Sequence, residues 1–333
     1  MDIVRAFFFV FCFIAIATAT EHPNLDIYFI DVEGGQATLI VAPSRQSLLV
    51  DTGWPGFGGR DADRIVEAAH LANLKRIDYV LISHYHRDHV GGVSQLADRI
   101  PIGTFIDHGP NAESGKEDDL FTAYQKLLQK TPRRVVTPGD VIPLGEAKLE
   151  VLTANGEGIR AARQGQPNPY CSEVEREKDD PTENARSVGI LLTFGKFRFI
   201  DLGDLTWNKE LDLMCPNNPV AQVEVYLTSH HGLSSSGSKA LVWALHPRVA
   251  IMNNGARKGG EAEAWQVVTS SPGLEDLWQL HYALGAGKEH NVADSYVANL
   301  EENCAGKYLK LSAQPNGNFT VTNSRNGFSK TYK

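Results

Sequence analysis

Apolar runs of strand length recur along this chain, and most stop at a glycine turn or at a cluster of acidic and histidine residues. DIYFID (Asp26 to Asp31) and ATLIV (Ala37 to Val41) predict two strands joined across Gly34-Gly35. Ser47 to Val50 predicts a third, ending in Asp51-Thr52-Gly53. Apolar residues then fall at helical spacing from Asp61 to Leu74, and Asp78 to Ser83 returns to strand character. Ser94 to Ile100 and Asp118 to Lys130 predict helices, and Val141 to Val151 predicts strand. The theme repeats. Ser187 to Phe194 and Phe197 to Leu202 predict a hairpin around Gly195-Lys196, which ends in Gly203-Asp204. A short helix from Asn208 leads to the strand Val223 to Thr228, which ends at Ser229-His230-His231-Gly232. A helix from Ser238 precedes the strand Arg248 to Met252, which runs into Asn253-Asn254-Gly255. Lys307 to Lys333 predicts a closing strand pair. No low-complexity linker divides the chain, so one α/β domain of two similar halves is expected over residues 22–333, with its core at about 26–255 and a C-terminal extension at 256–333.

The chemistry sits at strand ends. His84-Tyr85-His86-Arg87-Asp88-His89 packs four groups able to bind a metal into six residues, in the pattern H-x-H-x-D-H. In extended backbone His84 and His86 face one side together. A turn into helix after them swings Asp88 and His89 toward a second, neighbouring position. Imidazoles with a carboxylate suit a borderline-soft ion such as zinc. Asp51, Asp204 and the His230-His231 pair also follow apolar strands, so all of these groups meet if the strand ends share one rim.

Composition adds three constraints. The first 19 residues read as a secretory signal peptide: Arg5, an apolar run from Ala6 to Ile16, then Ala17-Thr18-Ala19. A secreted or periplasmic protein without stable membrane insertion is expected. Cleavage leaves Cys171, Cys215 and Cys304, enough for one disulfide whose pairing the sequence leaves open. The net charge of −8 supplies no general field for polyanions, so any phosphate recognition must be local.

In the order Asp51, His84-x-His86-x-Asp88-His89, Asp204 and His231, the chain resembles the metallo-β-lactamase superfamily over roughly residues 26 to 255. DIYFIDVEGGQATLIV, LLVDTG, SVGILLTFGKFRFIDLGD and VYLTSHHG look most like the metallo-hydrolase domain of the ComEC-type competence proteins. The chain departs at Val32-Glu33-Gly34-Gly35-Gln36, where that branch typically reads V-G-Q-G-D. The resemblance implies an αββα four-layer sandwich and one or two metal ions, zinc foremost and manganese as another occupant. It assigns His84, His86 and Asp204 to the first ion, and Asp88, His89, His231 and the bridging Asp204 to the second. Many superfamily members supply a third histidine to the first ion. Here the matching loop reads Thr182-Glu183-Asn184-Ala185-Arg186-Ser187, and His108 is the only histidine between Val90 and Ser187. Alignment with members ending in Gly-His-Gly favours His231 as ligand over His230, the reverse assignment being the alternative. His230 is then free to touch a substrate oxygen or protonate a leaving group, and Asp51 orients ligands through hydrogen bonds.

Two metals about 3.5–4 Å apart lower the pKa of a shared water to about 7, so the implied reaction is hydrolysis by a metal-bound hydroxide, with Asp88 orienting the nucleophile. Asn184, Ser187, Asn253, Asn254, Arg257 and Lys258 are the candidate substrate contacts; the last two sit in a glycine-rich loop suited to phosphate or carboxylate. A small-molecule or nucleic-acid phosphodiester is the leading substrate class, and no protein partner is predicted. Ser172 to Glu183, with six acidic and two basic residues, would repel long nucleic acid if it flanks the cleft. The alternatives are a carbonyl hydrolase acting on a lactone or β-lactam, and a metal-binding interaction protein whose catalysis has decayed. Trp278, Leu280 and Tyr282 read as core near a helix, with a pocket wall as the alternative, and His281 and His290 read as isolated structural or exposed histidines.

Overall fold

The structure is a computed structural model that describes residues 24–113, 118–159 and 165–333. The segment expected to be a signal peptide, residues 1–19, falls outside the described residues. Among those described, no helix is long and apolar enough to cross a membrane.

Several strands are apolar at nearly every position because both of their faces are covered. In Ser47–Val50, Leu48 and Val50 point to one face and Leu49 to the other, and all three are buried. Gly189–Phe194 behaves alike: Ile190 and Leu192 enter one core and Leu191 another. These alternations define three apolar layers. The central one lies between two sheets and joins Ile27, Phe29, Leu48 and Leu81 to Leu149, Ile190, Phe199 and Ile251. On the outer face of the first sheet, Leu39, Leu49 and Val80 pack against Ile65 and Ala69 of the helix Arg60–Leu71. On the outer face of the second, Ile200, Tyr226 and Ala250 meet Leu241, Val242 and Leu245 of the helix Lys239–Leu245. Helix, sheet, sheet, helix is the αββα sandwich.

The first sheet runs Ser329–Tyr332, Phe319–Asn323, Leu309–Ala313, Leu25–Phe29, Thr38–Val41, Ser47–Val50, Ile77–Leu81, Ile102–Asp107 and Arg133–Val135. The second places Val297–Asn299, Asp276–His281, Val249–Met252, Val225–Leu227, Phe197–Asp201, Gly189–Phe194, Ala147–Ala154 and Val141–Leu144 side by side. Ser47–Val50 and Ile77–Leu81 are parallel, as are Phe197–Asp201, Val225–Leu227 and Val249–Met252. Parallel neighbours end at one edge, which brings Asp51, the His84 run, Asp204 and His230-His231 to a common rim.

Two expectations change. Trp278 and Leu280 lie within the strand Asp276–His281 rather than beside a helix, and both are buried between the sheets. The C-terminal segment forms three strands, not two, and extends the first sheet next to Leu25–Phe29. Residues after 255 therefore complete both sheets.

Glu210, in the helix Trp207–Met214, is fully buried and accepts the Gly237 N–H at 2.7 Å and the Ser238 N–H at 2.8 Å. Burial pushes its carboxyl up to about 7. A carboxyl whose pKa rises on folding holds its proton in the folded state while the unfolded chain has lost it. Its contribution to stability is thus complete below about pH 4.5 and falls away as pH climbs to 7. Glu210→Gln should remove that slope: wild-type stability relative to the variant should fall by roughly 3 kcal/mol over this range, read by denaturant unfolding at each pH.

Candidate metal centre

Asp51 follows its strand in the left-handed region, with φ 62°, and this turn aims its carboxylate along the rim. One oxygen accepts the Ser83 N–H at 2.7 Å; the other accepts the Ser83 hydroxyl at 2.6 Å and lies 2.7 Å from His89 Nδ1. That bond fixes which nitrogen of His89 is left for the site. His86 caps the short helix Arg87–Val90 from extended backbone, and the helix turns Asp88 and His89 inward. At the opposite sheet, His230 and His231 both have positive φ, 52° and 57°. Two consecutive left-handed residues turn the chain sharply, and such conformations in non-glycine residues carry strain. The result is that His231 is fully buried while His230 stands at the mouth of a cleft.

Four histidines converge on Asp204. Its Oδ2 lies 3.2 Å from His89 Nε2, 3.4 Å from His230 Nε2 and 3.9 Å from His84 Nε2, and its Oδ1 lies 3.3 Å from His231 Nε2. Asp88 Oδ2 is 3.1 Å from His231 Nε2 and 3.3 Å from His89 Nε2. Asp88, His89, Asp204 and His231 can each offer one ligand atom with all four within 4.8 Å of one another. His84 Nε2 faces His86 Nδ1 at 3.1 Å beside them.

The donor set fits a metal on physical grounds. His89 Nε2 and His231 Nε2 lie 3.2 Å apart, and His89 already has its other nitrogen engaged by Asp51. Asp204 Oδ1 is buried and has no hydrogen-bond donor. Buried lone pairs aimed at one point are stabilised by a cation held between them. The charges agree. Burial alone would raise the Asp88 and Asp204 carboxyls, yet the surrounding histidines, with Lys258 beside Asp88, hold both well below the usual range. Burial would lower His89, and Asp204, Asp88 and Asp51 overcome it, raising its pKa well above an ordinary histidine's. His84 goes the other way, because burial and neighbouring His89 favour its neutral form.

The candidate substrate residues divide. Asn184 Nδ2 lies 3.4 Å from His230 Nε2 and lines the cleft. Lys258 reaches the centre: its ammonium pairs with Asp88 Oδ2 and lies 5.1 Å from the centre of the Trp54 ring. Ser187 is buried with its hydroxyl 3.2 Å from the Asp204 N–H, so it supports a ligand instead of facing a substrate. Asn253 donates to Gln36 at 3.3 Å, and Asn254 to the His281 carbonyl at 2.8 Å, both inside the protein. Arg257 points away and pairs with Glu302 at 2.8 Å on the surface. Only Asn184 and Lys258, of those six, stand at the site.

Three participants escaped the sequence. His86 Nε2 meets Glu113 at 2.8 Å. His108 binds Glu183 at 2.9 Å and so braces the loop that carries Asn184. Gln36 donates its N–H to the Asp88 carbonyl at 3.0 Å and its side chain to Asp201 at 2.8 Å. Gly35, which the chain shares with the V-G-Q-G-D pattern, is needed here, because a Cβ on it would lie 2.5 Å from the Asp88 carbonyl.

Asp51→Asn should lower metal affinity about 10–100-fold, because the amide cannot accept from both Ser83 and His89 as the carboxylate does. Competition with a chromogenic chelator measures it.

Residues 30–175 match the family described as the metallo-beta-lactamase superfamily. The chain is 25% identical over 249 residues to Recombination protein 2 of Haemophilus influenzae, covering 73% of this chain and 26% of that one. It is 22% identical over 186 residues to the UPF0173 metal-dependent hydrolase SSP1060 of Staphylococcus saprophyticus, covering 56% and 67%. The solved structure of YhfI, a metallo-beta-lactamase fold protein from Bacillus subtilis, aligns with 77% of this chain and 96% of its own at 12% identity and a TM-score of 0.46. The chain spans about a quarter to a third of the length of the curated relatives it matches first.

Proposed function

We propose that this protein is an exported phosphodiesterase acting on small phosphodiesters. The observation that carries this reading is Lys258: a cation set directly against the Asp88 carboxylate at the edge of the ligand cluster favours an anionic substrate at the reacting position. Likeness to Recombination protein 2 over 73% of the chain supports the same branch of the superfamily.

The cleft argues for a small substrate. A cavity of about 270 Å³ opens beside His230 and is lined by Glu177, Lys178, Asp180, Asn184 and Trp207 among others. The acidic segment expected from sequence does flank it, and it disfavours a long polyanion. Zinc, with manganese as the other occupant, would be held by His84, His86 and Asp204 on one side and by Asp88, His89, His231 and Asp204 on the other. When bound, such a metal supplies Lewis acidity and lowers the pKa of a coordinated water.

The protein's own groups do the rest. Lys258 attracts and orients the phosphate. His230, with Nδ1 3.0 Å from the Ser235 hydroxyl, keeps Nε2 facing the site, where it binds an oxygen of the substrate and moves a proton toward the leaving group. Trp207 and Asn184 wall the cleft that receives the remainder of the substrate.

The test is hydrolysis of bis-p-nitrophenyl phosphate by zinc- and manganese-loaded protein, with nitrocefin and a simple lactone in parallel. Phosphodiester cleavage is expected, with KM at least tenfold higher in Lys258→Met. Cleavage of nitrocefin or lactone alone overturns the phosphodiester assignment in favour of a carbonyl hydrolase.

A further inference from the structure

A second set of metal-ligating side chains lies away from the Asp204 centre, and nothing in the hydrolytic chemistry uses it. Asp31, Glu33, His281 and Cys304 can each present one ligand atom with all four within 4.8 Å of one another. We propose that these four residues form a second metal site for a thiophilic divalent cation such as zinc.

Three segments far apart in sequence build it. Asp31 leaves the strand Leu25–Phe29 and Glu33 follows two residues later with φ 58°, a left-handed turn that brings its carboxylate back over Asp31. His281 ends the strand Asp276–His281, and Cys304 comes from the loop before Leu309–Ala313. Cys304 Sγ lies 3.2 Å from Asp31 Oδ2, 3.3 Å from Glu33 Oε1 and 3.8 Å from His281 Nε2. His281 Nε2 is 2.8 Å from Asp31 Oδ1 and 3.6 Å from Glu33 Oε2. Ligands on a tetrahedral zinc, at bond lengths of about 2.0–2.3 Å, lie about 3.3–3.7 Å from one another. The donors already stand near those separations.

Burial and charge point the same way. Asp31 and His281 are both fully buried, and His281 Nδ1 has no hydrogen-bond partner. Moving the imidazole proton from Nε2 to Nδ1 therefore frees a ligand nitrogen and gives up its contacts to Asp31 and Cys304, both of which would themselves bind the ion. Arg64 holds Asp31 at 2.9 Å and Glu33 at 3.2 Å from one side. Two carboxylates and one guanidinium leave one net negative charge. A divalent cation that displaces the Cys304 thiol proton to solvent adds two positive charges and one negative, which makes the group neutral. Cys304 is part-exposed and lines a cavity of about 440 Å³, giving an ion a path in. Cys171 and Cys215 are bonded to each other, so Cys304 is the free cysteine among the described residues.

An ion here would brace the hydrolytic centre from behind. The ligands Asp31 and Glu33 flank the start of the loop whose Gln36 N–H holds the Asp88 carbonyl. The site would thus tie that loop to the second sheet and to the C-terminal strands.

Cobalt(II) loading of the full-length protein tests it, because the Asp204 centre contains no sulfur. The expected result is a near-ultraviolet thiolate-to-cobalt band that saturates at one equivalent, disappears in Cys304→Ser and persists in His231→Ala. Absence of the band at cobalt saturation, or its survival in Cys304→Ser, overturns the proposal and leaves the cluster an ion-pair network closed by Arg64. If Cys304→Ser fails to fold, wild-type protein decides. Zinc should slow Ellman's-reagent labelling at Cys304, followed by peptide mass spectrometry, at least tenfold; an unchanged rate overturns the site.

Discussion

Asp204→Ala should reduce hydrolysis at least about a thousandfold and cut bound metal at the same time. The size follows from the position of the carboxylate. It lies between the two ligand groups, close to His84 and His89 from the first sheet's rim and to His231 from the second sheet's. Its replacement leaves several buried imidazoles without the charge that gathers them, and a metal supplies several kcal/mol to hydrolytic catalysis. Metal content by mass spectrometry and kcat/KM on an aryl phosphodiester measure the two effects. Full metal content and full activity in the folded variant would remove Asp204 from the centre.

The second large effect concerns the cleft wall. Cys171–Cys215 closes a loop of sequence separation 44 and ties the turn Pro169–Glu173 to the end of the helix Trp207–Met214. Chain-entropy arguments give such a loop about 4 kcal/mol. Cys171→Ser with Cys215→Ser should therefore lower unfolding free energy by about that amount. The loss should be felt first by the acidic segment that follows Cys171, whose Glu177 and Asp180 line the cavity at His230. Denaturant unfolding reads the first effect. Proteolysis rates within residues 172–183 read the second, and equal stability of variant and wild type would contradict both.

The layered fold was legible because its strands are covered on both faces and so are apolar almost throughout, as in SLLV and GILLTF. Where polar residues enter a strand the pattern fails. Trp278-Gln279-Leu280-His281 belongs to the strand next to one edge of the second sheet; its Gln279 accepts the Val292 N–H at 2.8 Å and its His281 faces Asp31. Both partners are distant, so the run resembled neither strand nor helix cleanly. The candidate ligands were legible because four of them crowd into six residues, and because Asp204 and His231 follow strands that lie parallel in one sheet. Which loop residues face the centre was not. Lys258 and Arg257 are adjacent and alike in charge. Their opposite directions are set by backbone packing: a Cβ at Gly255 would meet Gly34 N at 2.7 Å, and one at Gly259 the His231 carbonyl at 2.1 Å. Ser187, Asn253 and Asn254 misled for the reverse reason, since small polar residues at a rim serve the backbone as readily as a ligand.

The pairing of Leu25–Phe29 with Leu309–Ala313 has a consequence for biosynthesis. The strand that leaves the ribosome early waits for a neighbour made nearly 290 residues later, which at ordinary elongation rates is about 15–60 s. During that interval one edge of an apolar strand stands unpaired, a template for association with other chains. Yield of folded protein should therefore depend on whatever shields that edge during synthesis. Chains stopped before residue 309 would keep it open for good.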